Sequence, residues 1–177
     1  MATSTWALDP AHSEVQFKAK HLVISTVTGY FRSFDGKVVS DNEDFTNAEI
    51  EFTIDTASID TNQEQRDAHL RSADFFDSEK YPKMKFKSTS FLKTGGEEYI
   101  LEGELTIRDI TKPITLKAEY GGTATDFYGN LKVGFEVTGK VSRKEYDLLW
   151  NGITEAGAIV VGDEIKLALN VQFAKQA

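Results

Sequence analysis

SEVQFKAKH, residues 13–21, alternates without a break. Val15, Phe17, Ala19 and His21 fall on one face, with Ser13 sharing their side, and Glu14, Gln16, Lys18 and Lys20 fall on the other. Successive side chains of a strand point to opposite faces, so the stretch predicts a half-buried β-strand. Its period of two decides the fold because the same period recurs along nearly the whole chain.

AEIEFTID (48–55) sets Ala48, Ile50, Phe52 and Ile54 against Glu49, Glu51, Thr53 and Asp55, and KMKFKSTS (83–90) sets Met84, Phe86, Ser88 and Ser90 against lysines. EYILEGELTIR (98–108), PITLKAEY (113–120), NLKVGFEVTGKVS (130–142) and DEIKLALNVQFA (163–174) repeat it. A less regular strand passes through Tyr30, Arg32, Phe34 and Val38, which makes eight. Turn-forming stretches separate them: SDNED from Ser40, KTGGEE after Leu92, YGGTATD after Glu119 and VGDE before Ile165.

One segment breaks the rhythm. TNQEQRDAHLRSADFFD, about residues 61–77, has no alternation, and Thr61 and Asn62 can cap a helix that starts at Gln63 and Glu64. On that helix Asp67 and Arg71 stand four apart, the spacing of a surface ion pair. HLVISTVTG (21–29) reads either as a short helical turn or as a loop or bent strand, since its β-branched residues resist a helix.

The fold class is therefore all-β, an eight-stranded antiparallel sheet with one helix (about residues 61–77) inserted between strands 3 and 4. Such sheets tend to remove their edges by closing into a barrel, and a two-sheet sandwich is the alternative. Strands of about ten residues at about 3.3 Å each make a barrel roughly 30 Å tall before tilt. An eight-stranded barrel either fills its interior with side chains or holds one small ligand. A tall, narrow, apolar tube suits a linear hydrocarbon.

The 177 residues fit a single domain spanning 1–177. Twenty basic against 28 acidic side chains give a net charge of -8, which argues against nucleic acid as a partner. There are no cysteines, so neither a disulfide framework nor a thiolate metal site is available. MATSTWALDP lacks the basic and apolar regions of a secretory signal, from which a cytoplasmic location is expected. No apolar run approaches the roughly 18 residues of a spanning helix, so no integral membrane association is expected.

Several segments together resemble the YceI family of lipocalin-like barrels. WALDPAHSEVQFKAKHL and TGYFRSFDGKV are similar to its first strands. IDTASIDTNQEQRDAHLRSADFFDSEKYPKMKFKSTS carries its most specific stretch, with RDAHL and FFDSEKYP, and GELTIRDITKPITL, VSRKEYDLLW and VGDEIKLAL follow in order. The resemblance runs from Trp6 to about Phe173. It implies a lipocalin-like barrel that binds, stores or transports a long-chain isoprenoid-type lipid, such as a polyprenyl phosphate or a quinone tail, without enzymatic chemistry or cofactor. A fatty acid or fatty amide is the nearest variant. Relatives are often dimeric, so a homodimer is admitted, although no stretch of this sequence marks an interface. Two departures stand out. Asp109 occupies a position where the family usually has glycine, so the turn in RDITKP is expected to differ locally, and many relatives carry a secretory signal.

The residues point the same way on their own. Each buried methylene is worth about 0.8 kcal/mol, so one isoprene unit contributes on the order of 3–4 kcal/mol before ordering costs. Phe17, Phe52, Phe86 and Phe135 follow strand parity as core or cavity wall, with Ala19 beside them; Trp6 and Trp150 are placed to cap an end. His21 continues the inward parity, either lining the tube or hydrogen-bonded in the core. Phe75 and Phe76 read as the apolar side of a lid, and Arg66 and His69 as the groups on it able to meet a headgroup.

His12 and Ser13 beside Asp9 read as a structural corner. The three histidines show no zinc-ligand spacing, so no metal is expected; a metal-dependent hydrolase would need them to converge from separate segments. No nucleophile elbow and no phosphate-cradling glycine motif is present. A filled barrel serving only as an interaction module is the remaining alternative, since parity fixes a face but not what that face meets.

Overall fold

The structure is a computed structural model. It describes residues 3–21, 24–42, 44–148 and 161–176, the side chains of His21 and Val161 excepted.

Among the described residues eleven strands occupy eight staves. β1 (Ser4–Leu8) and β2 (Glu14–His21) form the first stave, β3 (Ser25–Phe31) and β4 (Phe34–Ser40) the second, and β5 (Glu49–Asp55) and β6 (Ile59–Asp60) the third. β7 (Lys83–Gly95), β8 (Glu98–Ile107), β9 (Ile110–Thr125), β10 (Leu131–Ser142) and β11 (Val161–Lys175) supply one stave each. Every pairing is antiparallel, and β1 pairs with both β4 and β11. The first and last staves therefore meet and the sheet is a closed barrel rather than a sandwich.

The first three staves break at one level. The 3₁₀ turn Pro10–His12 interrupts the first, Arg32 and Ser33 the second, and the turn Thr56–Ser58 the third. Backbone bonds bridge the kink, from Asp9 N–H to Gln172 O (2.8 Å), Arg32 N–H to Ser58 O (3.1 Å) and Asp55 N–H to Ser33 O (2.9 Å). A bent stave lets a strongly twisted sheet close without losing ladder bonds. Asp9 holds this corner: its carboxylate accepts from Ala11 N–H, pairs with His12 Nδ1 (2.8 Å) and receives Lys132 Nζ. Ser13 Oγ donates to Asp9 O (2.7 Å).

The structure adds one strand, settles one open reading and corrects two expectations. Residues 4–8 form a strand of their own, β1, which five residues of weak alternation did not announce. Residues 25–31 are strand, which resolves the open reading of HLVISTVTG. Ser90 does not face inward: the register shifts between Ser88 and Ser90, so Ser90 stands opposite outward Glu102, and Phe91, only 2% exposed, takes the inner place. The helix, α1, covers Glu64–Arg71 rather than 61–77, and its cap is Gln63, whose side chain accepts from Arg66 N–H (2.9 Å). Consecutive residues on a helix diverge by about 100°. Phe75 and Phe76 both reach the barrel interior only because the chain leaves the helix at Ser72, with Phe76 N–H on Leu70 O and Ser78 N–H on Arg71 O.

At Asp109 the structure shows what the departure from glycine entails. Ile107 and Ile110 are paired, and Arg108 and Asp109 make a two-residue hairpin with φ +52° and +61°. Both loop residues take the left-handed backbone of the primed turns that match strand twist.

Candidate functional site

The staves run alternately between two ends. The first end holds residues 40–42, 44–49, 95–98 and 125–131, and there aromatic side chains close the barrel. Phe45 packs against Trp6 at 5.2 Å and Phe135 at 5.6 Å; Phe91 stacks on Tyr99 at 4.6 Å, and both contact Phe135 edge-on. Tyr99 is placed by its hydroxyl, which donates to Asp44 O (2.5 Å), and burial pushes its pKa up. Trp150, the other expected cap, lies outside the described residues.

The opposite end is covered by α1 and the turns that follow it. Leu70, Phe75 and Phe76 point into the barrel there, Phe76 meeting Phe31 edge-on at 5.8 Å. Thr56 Oγ1 donates to Tyr81 O (2.9 Å), and Arg108 lies over the Tyr81 ring while donating to Asp147 O (2.9 Å). These contacts tie the end of the lid segment to the neighbouring turns.

Between plug and lid lies a cavity of about 230 Å³, lined from Phe45, Phe91 and Phe135 at one end to Phe75, Phe76 and Leu148 at the other. Its exposed wall among the described residues is apolar. A buried water requires two to four polar partners, and apolar cavities of roughly 150 Å³ stay dry and take up small hydrocarbons. By the same reasoning this lumen is suited to an apolar guest.

Of the residues singled out from the sequence, Phe17, Ala19, Phe52, Phe75, Phe76, Phe86 and Phe135 are on the cavity wall. Arg66 and His69 are not. Arg66 donates through Nε to Thr61 Oγ1 (2.7 Å) and through Nη2 to Thr61 O (2.6 Å), so it clamps the start of the lid. His69 Nε2 pairs with Asp74 Oδ2 (2.9 Å) and its ring meets Phe75 edge-on at 5.2 Å. The expected Asp67–Arg71 pair is replaced: Arg71 binds Glu64 (2.6 Å), and Asp67 turns inward to Thr61. The side chain of His21 lies outside the described residues. His12 sits at the Asp9 corner, and among the described residues no three His, Cys, Asp or Glu side chains group as metal ligands.

Sequence reasoning missed Arg143, a wall residue only 3% exposed. Its Nε donates to Gly162 O (2.9 Å) and its Nη1 to Leu148 O (2.5 Å); burial lowers its pKa, opposed by Asp163, and a guanidinium stays charged regardless. The signal was available, because Arg143 continues the inward odd-numbered row Val137, Gly139, Val141 past the end of β10. Phe45 and Phe91 were missed as well, one because it sits in a loop and the other because of the bulge.

A closed eight-stave antiparallel barrel, plugged by aromatics at one end and covered by a helix at the other, is a lipocalin-like barrel with a hollow apolar interior. This chain belongs to the YceI family: residues 6–173 match the model of the YceI-like domain. It is 38% identical to the protein YceI of Escherichia coli O157:H7 over 165 residues, 93% of this chain and 83% of that one. A UPF0312 protein of Photorhabdus laumondii is 41% identical over 136 residues, 77% of this chain and 70% of that one.

Among solved structures, a Campylobacter jejuni YceI protein superposes with a TM-score of 0.74 at 32% identity, covering 89% of this chain and 90% of the other. A polyisoprenoid binding domain from Saccharophagus degradans shares the fold, with a TM-score of 0.71 at 15% identity, covering 97% and 98%. No helix among the described residues is long and apolar enough to cross a membrane.

Proposed function

We propose that this protein binds one long-chain lipid of the isoprenoid type, its tail held in the lumen between the aromatic plug and the lid, and carries or shields it without altering it chemically. The observation that supports this reading is the apolar lumen of about 230 Å³ running from Phe45 to Phe75. Affinity comes from the tail, at about 0.8 kcal/mol per buried methylene, and a few polar groups suffice to orient the head. Arg143 is the one cation among the described wall residues, its guanidinium held by the carbonyls of Gly162 and Leu148, and a polyprenyl phosphate or a quinone is a head whose charge or carbonyl oxygens such a buried cation would favour. Kinship with the YceI family and the fold shared with a polyisoprenoid binding domain support the same class of guest.

Organic extraction of the purified protein followed by mass spectrometry tests it. A stoichiometric isoprenoid is the expected recovery. Fatty acid or fatty amide in its place would keep the lumen's role and change the lipid. Repeated recovery of nothing, together with failure to take up added lipid, would overturn the proposal.

A further inference from the structure

Among the described residues four inward-facing positions of the wall are glycines, and each is overlain by a large side chain from a neighbouring strand. A Cβ added at Gly29 would stand 2.3 Å from Phe17 Cζ; at Gly36, 2.7 Å from Phe52 Cδ2; at Gly103, 2.5 Å from Phe86 Cζ; at Gly139, 2.2 Å from Leu116 Cδ2. No real Cβ approaches so closely. Each overlying side chain therefore lies along the wall, in a notch its glycine leaves open, instead of standing across the lumen. Glycine inside a strand costs stability and commonly marks a close approach of this kind.

Two of these notches belong to one belt. Gly139 pairs with Leu167, Leu167 with Phe17, and Phe17 with Gly29, so the row runs unbroken across four strands, with Leu116 lying over Gly139 from β9. Phe17, Leu167 and Leu116 of this belt line the lumen that runs from lid to plug. Phe17 has no room to retreat along the wall. Phe31 flanks Gly29 on its own strand with its ring 5.4 Å from that of Phe17, Val27 occupies the other flank, and the sheet backbone lies behind. A methyl group at Gly29 drives the ring into the lumen.

We infer that Gly29 and Gly139 are the length gauge of the lumen: their missing side chains let a chain pass the belt and reach the aromatic plug, and they set the longest isoprenoid the barrel accepts. The inference rests on the proposed binding of a chain lipid. Uptake is limited by girth at the belt, because a chain stopped there leaves its remaining isoprene units in water and loses their burial.

The test uses the whole chain and three isoprenoid alcohols of increasing length, geraniol, farnesol and geranylgeraniol, each displacing the fluorophore N-phenyl-1-naphthylamine. The unsubstituted protein should prefer the longer alcohols. In Gly29→Ala and Gly139→Ala, farnesol and geranylgeraniol should weaken at least about tenfold while geraniol changes less than about twofold. Phe17→Leu added to Gly29→Ala should restore the preference, since the shorter side chain clears the new methyl. Near-UV circular dichroism checks that each variant keeps the native packing. Should Gly29→Ala unfold, Gly139→Ala carries the test alone, because its methyl meets only the tip of Leu116 within 3 Å. Unchanged preference in a folded variant overturns the gauge and leaves lipid binding standing. Failure of the unsubstituted protein to bind any of the three alcohols overturns the binding itself, and the gauge with it.

Discussion

Asp67 and Thr61 are joined twice through one oxygen: Asp67 Oδ1 accepts the Thr61 backbone N–H at 2.9 Å and the Thr61 hydroxyl at 2.5 Å. Both residues are buried, at 5% and 4% exposure, and Arg66 closes the group by donating to the same threonine. The cluster sits where the third stave ends and α1 begins, so the helix is fastened to the barrel through a hydrogen-bonded carboxylate. A surface ion pair at its place would be worth little.

Asp67→Ala should therefore loosen the lid more than the barrel. It leaves the Thr61 N–H and hydroxyl without their acceptor, at a cost of about 1–3 kcal/mol for a buried donor left unsatisfied. Hydrogen exchange should quicken across residues 61–77 while the amides of β8 to β10 keep their protection. Uniform acceleration over the whole chain would mean that Asp67 supports the barrel and not the lid specifically.

Phe75→Ala should cost stability at the low end of the roughly 3–5 kcal/mol range for buried aromatics, because the space it leaves merges with a lumen that is already there. Phe76→Ala should cost less, since that ring is only partly buried. Both should speed the release of bound N-phenyl-1-naphthylamine, and the double variant should do so most. Unchanged release with lowered stability would assign these rings to anchoring the helix and not to closing the barrel.

Acid should attack the Asp9 corner. The hydrogen bond from Lys132 holds the Asp9 carboxyl below its ordinary range. A lowered native value contributes stability above the unfolded pKa of about 3.9, and that contribution is lost as pH falls through the native value. Lys132→Met removes the largest cause and leaves the smaller one from His12, so the acid unfolding midpoint followed by far-UV circular dichroism should move to higher pH. A midpoint unmoved by the substitution would count against the corner as a source of acid resistance.

Alkali should act at the other extreme through Tyr146. This residue is 1% exposed, and burial pushes its hydroxyl up to about 12. The unfolded chain ionises near pH 10, so between about 10 and 12 the unfolded state has released a proton that the native state retains, and stability falls as pH rises. Tyr146→Phe should flatten that fall, as measured by denaturant midpoints across this range.

Asp109→Gly should raise stability by about 0.5–1 kcal/mol, because φ +61° is a backbone glycine adopts without strain. A thermal scan reads this directly.

Most of the barrel is legible in the sequence. Period-two runs place Val15, Phe17, Phe52, Leu101, Val137 and Phe173 on the inner face, and burial or cavity contact finds all six there. Alternation survives in sequence because a strand with one wet face must keep its polar side chains out of the core, whatever its partners are. The lid was legible only as an interruption. Its cap, its end at Ser72 and the inward turn of Asp67 depend on Thr61 and on the barrel rim, which no local pattern records.

The sequence by itself determined an all-β chain of eight staves, one helical insertion, and which side chains share a face. It also carried the family resemblance over nearly its whole length. Tertiary structure alone decided that the face encloses an open lumen. Parity assigns Phe17 inward but is silent on whether its ring fills the centre or lies along the wall. That depends on Gly29 standing opposite it in the β2–β3 hairpin and on closure of the barrel around the pair. The same closure brings Arg143 beside the apolar wall and Phe45 against Phe135, contacts between residues far apart in the chain that only the assembled sheet puts within reach.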